Sequence, residues 1–129
     1  MAKNNMIVYI DHSKVLEGKI VELKKAIGEL VRLVDINETQ IMAYNVYFSA
    51  DYKRMTVVHI HPDSTSLEFH MKVAGPVFSR FASFVELQAI DIYGQVSDSL
   101  LAQLREKARL LGNGTVEMHE LHAGIVRLE

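Results

Sequence analysis

The sequence of 129 residues contains no cysteine and no tryptophan, and it has no long apolar run. Without cysteine the chain forms no disulfide, no thiolate metal site and no cysteine nucleophile, so several enzyme classes are excluded. No stretch approaches the roughly 20 apolar residues of a membrane-spanning helix. Residues 1–5 are polar and lack the apolar centre of a secretory signal, so we expect a cytoplasmic protein.

The chain also has no excess of positive charge. The formal net charge is -2, from 14 basic and 16 acidic residues, and the basic residues are scattered along the chain. A stripe of basic residues, which would hold a phosphate backbone, is not formed, so we expect neither nucleic acid nor a membrane as a partner. Glycine-rich phosphate loops, Ser-His-Asp signatures and paired-carboxylate motifs are absent as well.

The apolar residues present predict an alternation of strands and helices within one core. Strand-like runs alternate apolar side chains, and helical runs repeat them every three or four residues. The order of elements is that of the split βαβ unit, so we predict an α+β, ferredoxin-like domain. The predicted elements are strands at residues 6–12, 40–48, 55–61 and 87–93, and helices at about residues 17–36, from Asp63 or Ser64 to Gly75, and around residues 78–85.

A C-terminal extension follows this unit. Ser97 is a suitable N-cap for one more helix, which Gly112 stops, and residues 115–128 contain a last strand. We therefore divide the chain into a ferredoxin-like domain at residues 1–94 and an extension at residues 95–129. The extension is expected to stabilise a dimer and to form one structural unit with the domain.

Both faces of the predicted sheet are apolar. In the third strand Val58 and Ile60 point one way, while Val57 and His59 point the other. The helices cover one face, and the second would expose more apolar surface than soluble monomers usually do. We expect a second copy to cover it, giving a homodimer or a higher assembly of dimers. In the alternative interpretation, the C-terminal extension folds back over its own sheet.

Three segments of the chain stand out: residues 16–19 (LEGK), 57–70 (VVHIHPDSTSLEFH) and 92–94 (IYG). Together with the order of elements, they resemble the antibiotic biosynthesis monooxygenase-like family of the dimeric α+β barrel superfamily. In that family a capping Asp leads into a helix that carries a Leu and, three residues later, a His; Asp63, Leu67 and His70 match this arrangement. His59 stands where many members have Glu, and the haem-degrading branch needs a Trp that this chain lacks.

This resemblance covers about residues 6–94 and implies a dimeric α+β barrel. It also implies a monooxygenase that needs no cofactor and acts on a small aromatic or quinol-like molecule in a pocket between sheet and helices. The alternative is a non-catalytic dimeric protein of the same fold that binds small molecules or is associated with stress.

Histidines are the candidate catalytic residues. His70 is the first choice because it matches the family pattern, and His59 is the second. His59 and His61 lie two apart on a strand, so their imidazoles share a face at about 6.5 to 7 Å. A metal would need a third ligand such as His70; otherwise the two histidines pack in an interface or act as acid–base groups.

The candidate substrate-binding residues are His61, Tyr44, Asn45 and Arg80. Tyr44 and Asn45 point to opposite faces of their strand, so at most one lines a given pocket. Arg80 follows the Gly75 break and can hold an anionic substrate, although a solvated arginine is the commoner case. We expect no metal and no cofactor.

Overall fold

The computed structural model describes residues 4–127 and confirms the α+β class. Within this range the chain forms three α-helices, one 3-10 helix and five strands. Their bounds are β1 (Ile7–Val15), α1 (Ile20–Asn37), β2 (Ala43–Phe48), β3 (Arg54–His61), α2 (Ser64–Ala74), the 3-10 helix (Gly75–Ser83), β4 (Val85–Tyr93), α3 (Asp98–Leu111) and β5 (Thr115–His119).

The five strands form one sheet in the order β2-β3-β1-β4-β5. The first four strands pair antiparallel, as the split βαβ plan requires, and β5 pairs parallel to β4 through the crossover helix α3. The helices pack together on one face, where they and the inward residues of the strands form the core. No helix in residues 4–127 is long and apolar enough to cross a membrane.

The starts of α2 and α3 follow from side-chain caps. Asp63 accepts a hydrogen bond from the backbone N–H of Ser66 at 2.9 Å, and Ser97 accepts one from Leu100 at 3.1 Å. Both caps are among those that the sequence predicts. The predicted stop at Gly75 is confirmed, since α2 ends at Ala74. The helical stretch predicted around residues 78–85 is a 3-10 helix and begins earlier, at Gly75; Pro76 lies in its first turn, where a missing N–H donor costs little.

The face of the sheet opposite the helices is called here the open face. It carries Val8, Ile10, Val58 and Ile60, all of them half-buried. A groove of about 1060 Å³ separates it from residues that follow β5.

The C-terminal extension does not seal this groove. Leu121 and Ile125 are 56% and 73% exposed. The last strand, expected within residues 115–128, is present as Thr115–His119, while residues 1–3 and 128–129 of the predicted spans lie outside the described part of the chain.

Candidate active site

Three aromatic side chains lie in a row across the helix-covered face of the sheet. Tyr44 on β2 and Tyr9 on β1 are the direct cross-strand neighbours of His59 on β3. The rings of Tyr9 and His59 stack with centroids 4.0 Å apart, and Tyr44 meets His59 edge-on at 4.8 Å. Direct cross-strand pairs bring side chains closest together in a sheet, so the strand register itself builds this row.

The helices add titratable groups above the row. His70 of α2 lies with its ring centroid 4.8 Å from that of His59, and Lys107 reaches down from α3. Charged residues are rarely this buried unless they are paired. The resulting polar cluster consists of Tyr9, Asp11, Glu38, Tyr44, His59, His61, Ser66, His70 and Lys107, all buried except the half-buried Tyr44.

An ion pair between Asp11 and Lys107 lies at the centre of the cluster. The Lys107 Nζ lies 2.8 Å from Asp11 Oδ2 and also donates to the Tyr9 hydroxyl at 2.5 Å. Burial alone would raise the pKa of Asp11, but the Lys107 ammonium and the contact with His59 outweigh it and hold that pKa well below its ordinary 3.8. Asp11 is therefore a carboxylate at neutral pH.

A second carboxylate orients His70. Glu38, at the end of α1, has its Oε2 2.8 Å from the Nδ1 of His70. A carboxylate only accepts hydrogen bonds, so Nδ1 carries the proton and donates it. The Nε2 of His70 has no partner among the described residues. A histidine held in this way by a carboxylate is oriented as a general base with Nε2 as its basic atom.

The two histidines of β3 are neutral at pH 7. Burial, together with nearby His70 and Lys107, lowers the pKa of His59 to about 3 against the opposing effect of Asp11. Neither nitrogen of His59 has a hydrogen-bond partner among residues 4–127, and its Nε2 lies 3.4 Å from Asp11 Oδ2. Burial and His70 lower the pKa of His61 to about 4, and its Nδ1 lies 2.7 Å from Ser66 Oγ.

A small cavity of about 40 Å³ adjoins the cluster. Asp11, Tyr44 and Lys107 line it on the polar side, and Phe78 and Phe81 of the 3-10 helix are among its apolar lining. The Lys107 Nζ also lies 4.1 Å from the centroid of the Phe78 ring. An apolar cavity with a few convergent polar groups is the usual form of a small-molecule site.

Four of the six site residues predicted from the sequence come together here, and two do not. Asn45 is exposed on the open face opposite Val58, because its strand alternates with Tyr44 inward. Arg80 is half-exposed on the surface and pairs with Glu29 at 2.5 Å. Both therefore lie outside the cluster. The four that meet are Tyr44, His59, His61 and His70.

Sequence reasoning missed three charged members of the cluster. Asp11 occupies an inward position of an apolar strand, and Lys107 lies among the buried positions of α3, between Leu104 and Ala108. In both cases a charged residue occupies a position where the periodic pattern of the strand or helix calls for an apolar one, and this could have marked the residue as a buried charge. Glu38 follows the end of α1, where a charged residue is ordinary, so no sequence signal marked it.

No family model matches this sequence, and no curated protein matches it. Solved structures match most of it. MupZ from Pseudomonas fluorescens is 14% identical, with a TM-score of 0.74 over 96% of each chain. A protein from Nitrosomonas europaea, described by its name as an antibiotic biosynthesis monooxygenase, is 20% identical. Its TM-score is 0.60, over 76% of this chain and 97% of that one.

SnoaB, a cofactor-independent oxygenase from Streptomyces nogalater, has a TM-score of 0.60 at 7% identity, over 72% of this chain and 95% of its own. This chain has the fold of the antibiotic biosynthesis monooxygenase-like proteins. At these identities the matches establish the monooxygenase-like fold alone. Because the MupZ match spans 96% of this chain, it includes α3, the helix that carries Lys107.

The lowered histidine pKa values predict that acid destabilises the protein well above the range of carboxylate titration. In the unfolded chain His59 takes up a proton below about pH 6.5, whereas folded His59 does so only near pH 3. Stability from this residue is therefore complete above pH 6.5 and falls as pH decreases, by up to about 1.4 kcal/mol per pH unit. Urea unfolding between pH 6.5 and 4.5 measures the slope.

The variant His59→Phe keeps an aromatic ring against Tyr9. It should reduce the slope by the contribution of close to one proton, about 1.4 kcal/mol per pH unit. The matched control His122→Gln changes an exposed histidine and should leave the slope unchanged. An unaltered slope in His59→Phe would show that His59 titrates normally in the folded protein.

Proposed function

We propose that this protein is a cofactor-independent monooxygenase that acts on a small aromatic molecule carrying a hydroxyl group. The observation that supports this most is the group of buried imidazoles and the Asp11–Lys107 ion pair beside an apolar cavity. Titratable groups with displaced pKa values in such a place are typical of active sites. The name of SnoaB, a structural neighbour, describes a cofactor-independent oxygenase and supports the same reaction class.

The substrate enters by displacing aromatic side chains. A cavity of about 40 Å³ holds little more than a water molecule, whereas small-molecule pockets are usually several hundred Å³. Phe78 and Phe81 lie on the 3-10 helix, whose hydrogen bonds have poorer geometry than those of an α-helix. The substrate ring takes the place of one of these rings and makes similar apolar contacts.

The substrate hydroxyl binds at the Asp11–Lys107 pair. When the hydroxyl loses its proton, the Lys107 ammonium stabilises the oxyanion, and the low dielectric of the interior strengthens this attraction. The proton passes to the Nε2 of His70, which has no partner among the described residues, while His59 beside Asp11 stays neutral. Glu38 stabilises the imidazolium that forms on His70.

Oxygen then reacts with the electron-rich anion. The anion transfers an electron to dioxygen, and the two radicals combine into a peroxide at a ring carbon that carries hydrogen. Loss of water from the protonated peroxide leaves a carbonyl group, so one oxygen atom enters the product and the other leaves as water. The protein supplies the base, the oxyanion partner and a site that excludes bulk water.

The second candidate is a protein that binds a small molecule without transforming it. The groove beside the open face favours this function, since its volume of about 1060 Å³ admits a ligand without any rearrangement. Val8, Ile10, Tyr93 and Ile125 give it apolar walls. A ligand bound there would not contact the polar cluster, which lies on the other face of the sheet.

Oxygen uptake separates the two candidates. A panel of hydroquinones and anthrones should be oxidised by the wild type, and His70→Asn and Lys107→Gln should each slow oxygen consumption by about 100-fold, the effect of losing an acid–base or charge-stabilising group. Asn45→Ala, on the opposite face of the same strand as Tyr44, is the matched control and should retain the wild-type rate.

No uptake by the wild type, or equal rates in all four proteins, would contradict the oxygenase proposal. Binding of the same compounds in equilibrium dialysis without oxygen consumption, insensitive to His70→Asn, would support the second candidate instead.

We further propose that a second copy of the chain covers the open face. Val8, Ile10, Val58 and Ile60 form adjoining apolar positions there, and each remains partly exposed in the single chain. A two-fold partner presents the same apolar surface, so each copy shelters the other.

Sedimentation equilibrium at micromolar concentration should give about twice the chain mass of 14.6 kDa. Val58→Lys places a charge in the middle of the open face and should shift the protein to monomers, whereas Val21→Lys changes a residue that is 77% exposed on α1 and should not. A folded wild type of 14.6 kDa would refute the dimer.

A further inference from the structure

A second group of polar side chains lies on the open face, separate from the polar cluster beneath the helices. It is called here the edge cluster and consists of His12 of β1, Asp91 of β4, and Glu117 and His119 of β5. The His12 Nε2 lies 3.2 Å from Asp91 Oδ2, and the His119 Nε2 lies 2.9 Å from Asp91 Oδ1. Asp91, Glu117 and His119 each offer a ligand atom, and these atoms lie within 4.8 Å of one another.

The strand register holds the edge cluster in place. Asp91 and Glu117 are paired residues on the parallel strands β4 and β5, so their side chains project from the same face. His119 pairs with Tyr93, and the two rings stack with centroids 4.3 Å apart. This stacking restricts the rotation of the His119 ring and keeps its imidazole beside Asp91.

The cluster is short of positive charge. Two carboxylates lie close together, and within residues 4–127 the ion-pair partners of Asp91 are the two histidines, with no lysine or arginine among them. A divalent cation bound there would balance the charge of the two carboxylates. Solvent reaches the group, since the side chains of His12, Asp91 and His119 are 44%, 20% and 32% exposed.

We propose that the edge cluster binds a divalent transition-metal ion, Zn²⁺ in the first instance. Imidazole and carboxylate together favour such ions over Mg²⁺ and Ca²⁺, which prefer oxygen ligands alone. Metal–ligand bonds of about 2.1 Å allow ligand atoms at most about 4.2 Å apart, so small side-chain rotations bring the group into coordination. Asp91, Glu117 and His119 supply three ligands, and the fourth position is left to His12, 3.2 Å from Asp91, or to solvent.

The buried histidines are less suited to a metal. The sequence spacing indicated a possible metal site at His59 and His61, with His70 as a third ligand. Within the part of the chain that the structure describes, however, only Asp91, Glu117 and His119 bring three such ligand atoms within 4.8 Å of one another. The metal site is therefore assigned to the open face, and it is independent of the proposed oxygenase.

Calorimetric titration of metal-free, untagged protein with ZnCl₂ tests the assignment. The wild type should bind Zn²⁺ with a Kd in the micromolar range or below, and MgCl₂ should give no comparable heat. His119→Gln and Glu117→Gln should each weaken Zn²⁺ binding by at least about tenfold, because each removes a ligand. Both positions are partly or fully exposed on an edge strand, so the variants should fold, which circular dichroism checks.

The matched control is His122→Gln, an exposed histidine three residues beyond His119 that is outside the edge cluster. It should bind Zn²⁺ as the wild type does. Zn²⁺ should raise the midpoint temperature of thermal unfolding of the wild type and of His122→Gln, but not that of His119→Gln. Absence of Zn²⁺ binding by the wild type, equal affinity in His119→Gln, or an equal loss in His122→Gln would each overturn the proposal.

Discussion

The buried ion pair between Asp11 and Lys107 determines the rest of the candidate site. Two charges in an apolar interior are tolerated only when they neutralise each other and their hydrogen bonds are satisfied. Asp11 comes from the central strand β1, and Lys107 comes from α3, nearly 100 positions later in the chain. The pair therefore ties the C-terminal extension to the sheet, and α3 also contributes apolar residues such as Leu104 to the common core.

The chemistry of the neighbouring groups follows from this pair. Because Lys107 neutralises Asp11, the adjacent His59 gains little from protonation and stays neutral within the apolar surroundings. Glu38 orients His70 by accepting the hydrogen bond of its Nδ1, and the Nε2 of His70 has no partner among residues 4–127. One face of the sheet thus places buried imidazoles beside a fixed charge pair. The opposite face combines apolar positions with the edge cluster.

Much of the fold follows from the sequence because local signals agree with one another. Apolar periodicity predicted the strands and α1, while Asp63 and Ser97 predicted the starts of α2 and α3. The helical stretch around residues 78–85 was predicted, but its 3-10 form and its start at Gly75 were not, because apolar spacing alone does not distinguish the two kinds of helix. Within the site, strand alternation and the family resemblance identified the histidines and Tyr44. Asp11 and Lys107 were missed although each places a charge at an apolar position of its pattern. Glu38 carried no such signal, and the meeting of the three groups depends on how α1 and α3 pack over the sheet, which no local pattern encodes.

A double-mutant cycle on the ion pair tests the central claim most directly. Lys107→Met leaves the Asp11 carboxylate buried without its partner and should lower the free energy of unfolding by about 3 to 5 kcal/mol. Asp11→Asn alone should also lower it, by a smaller amount. The variant carrying both changes has no buried charge at this position, so its loss should be well below the sum of the two single losses. Single losses that simply add, measured by urea unfolding at pH 7, would contradict the account.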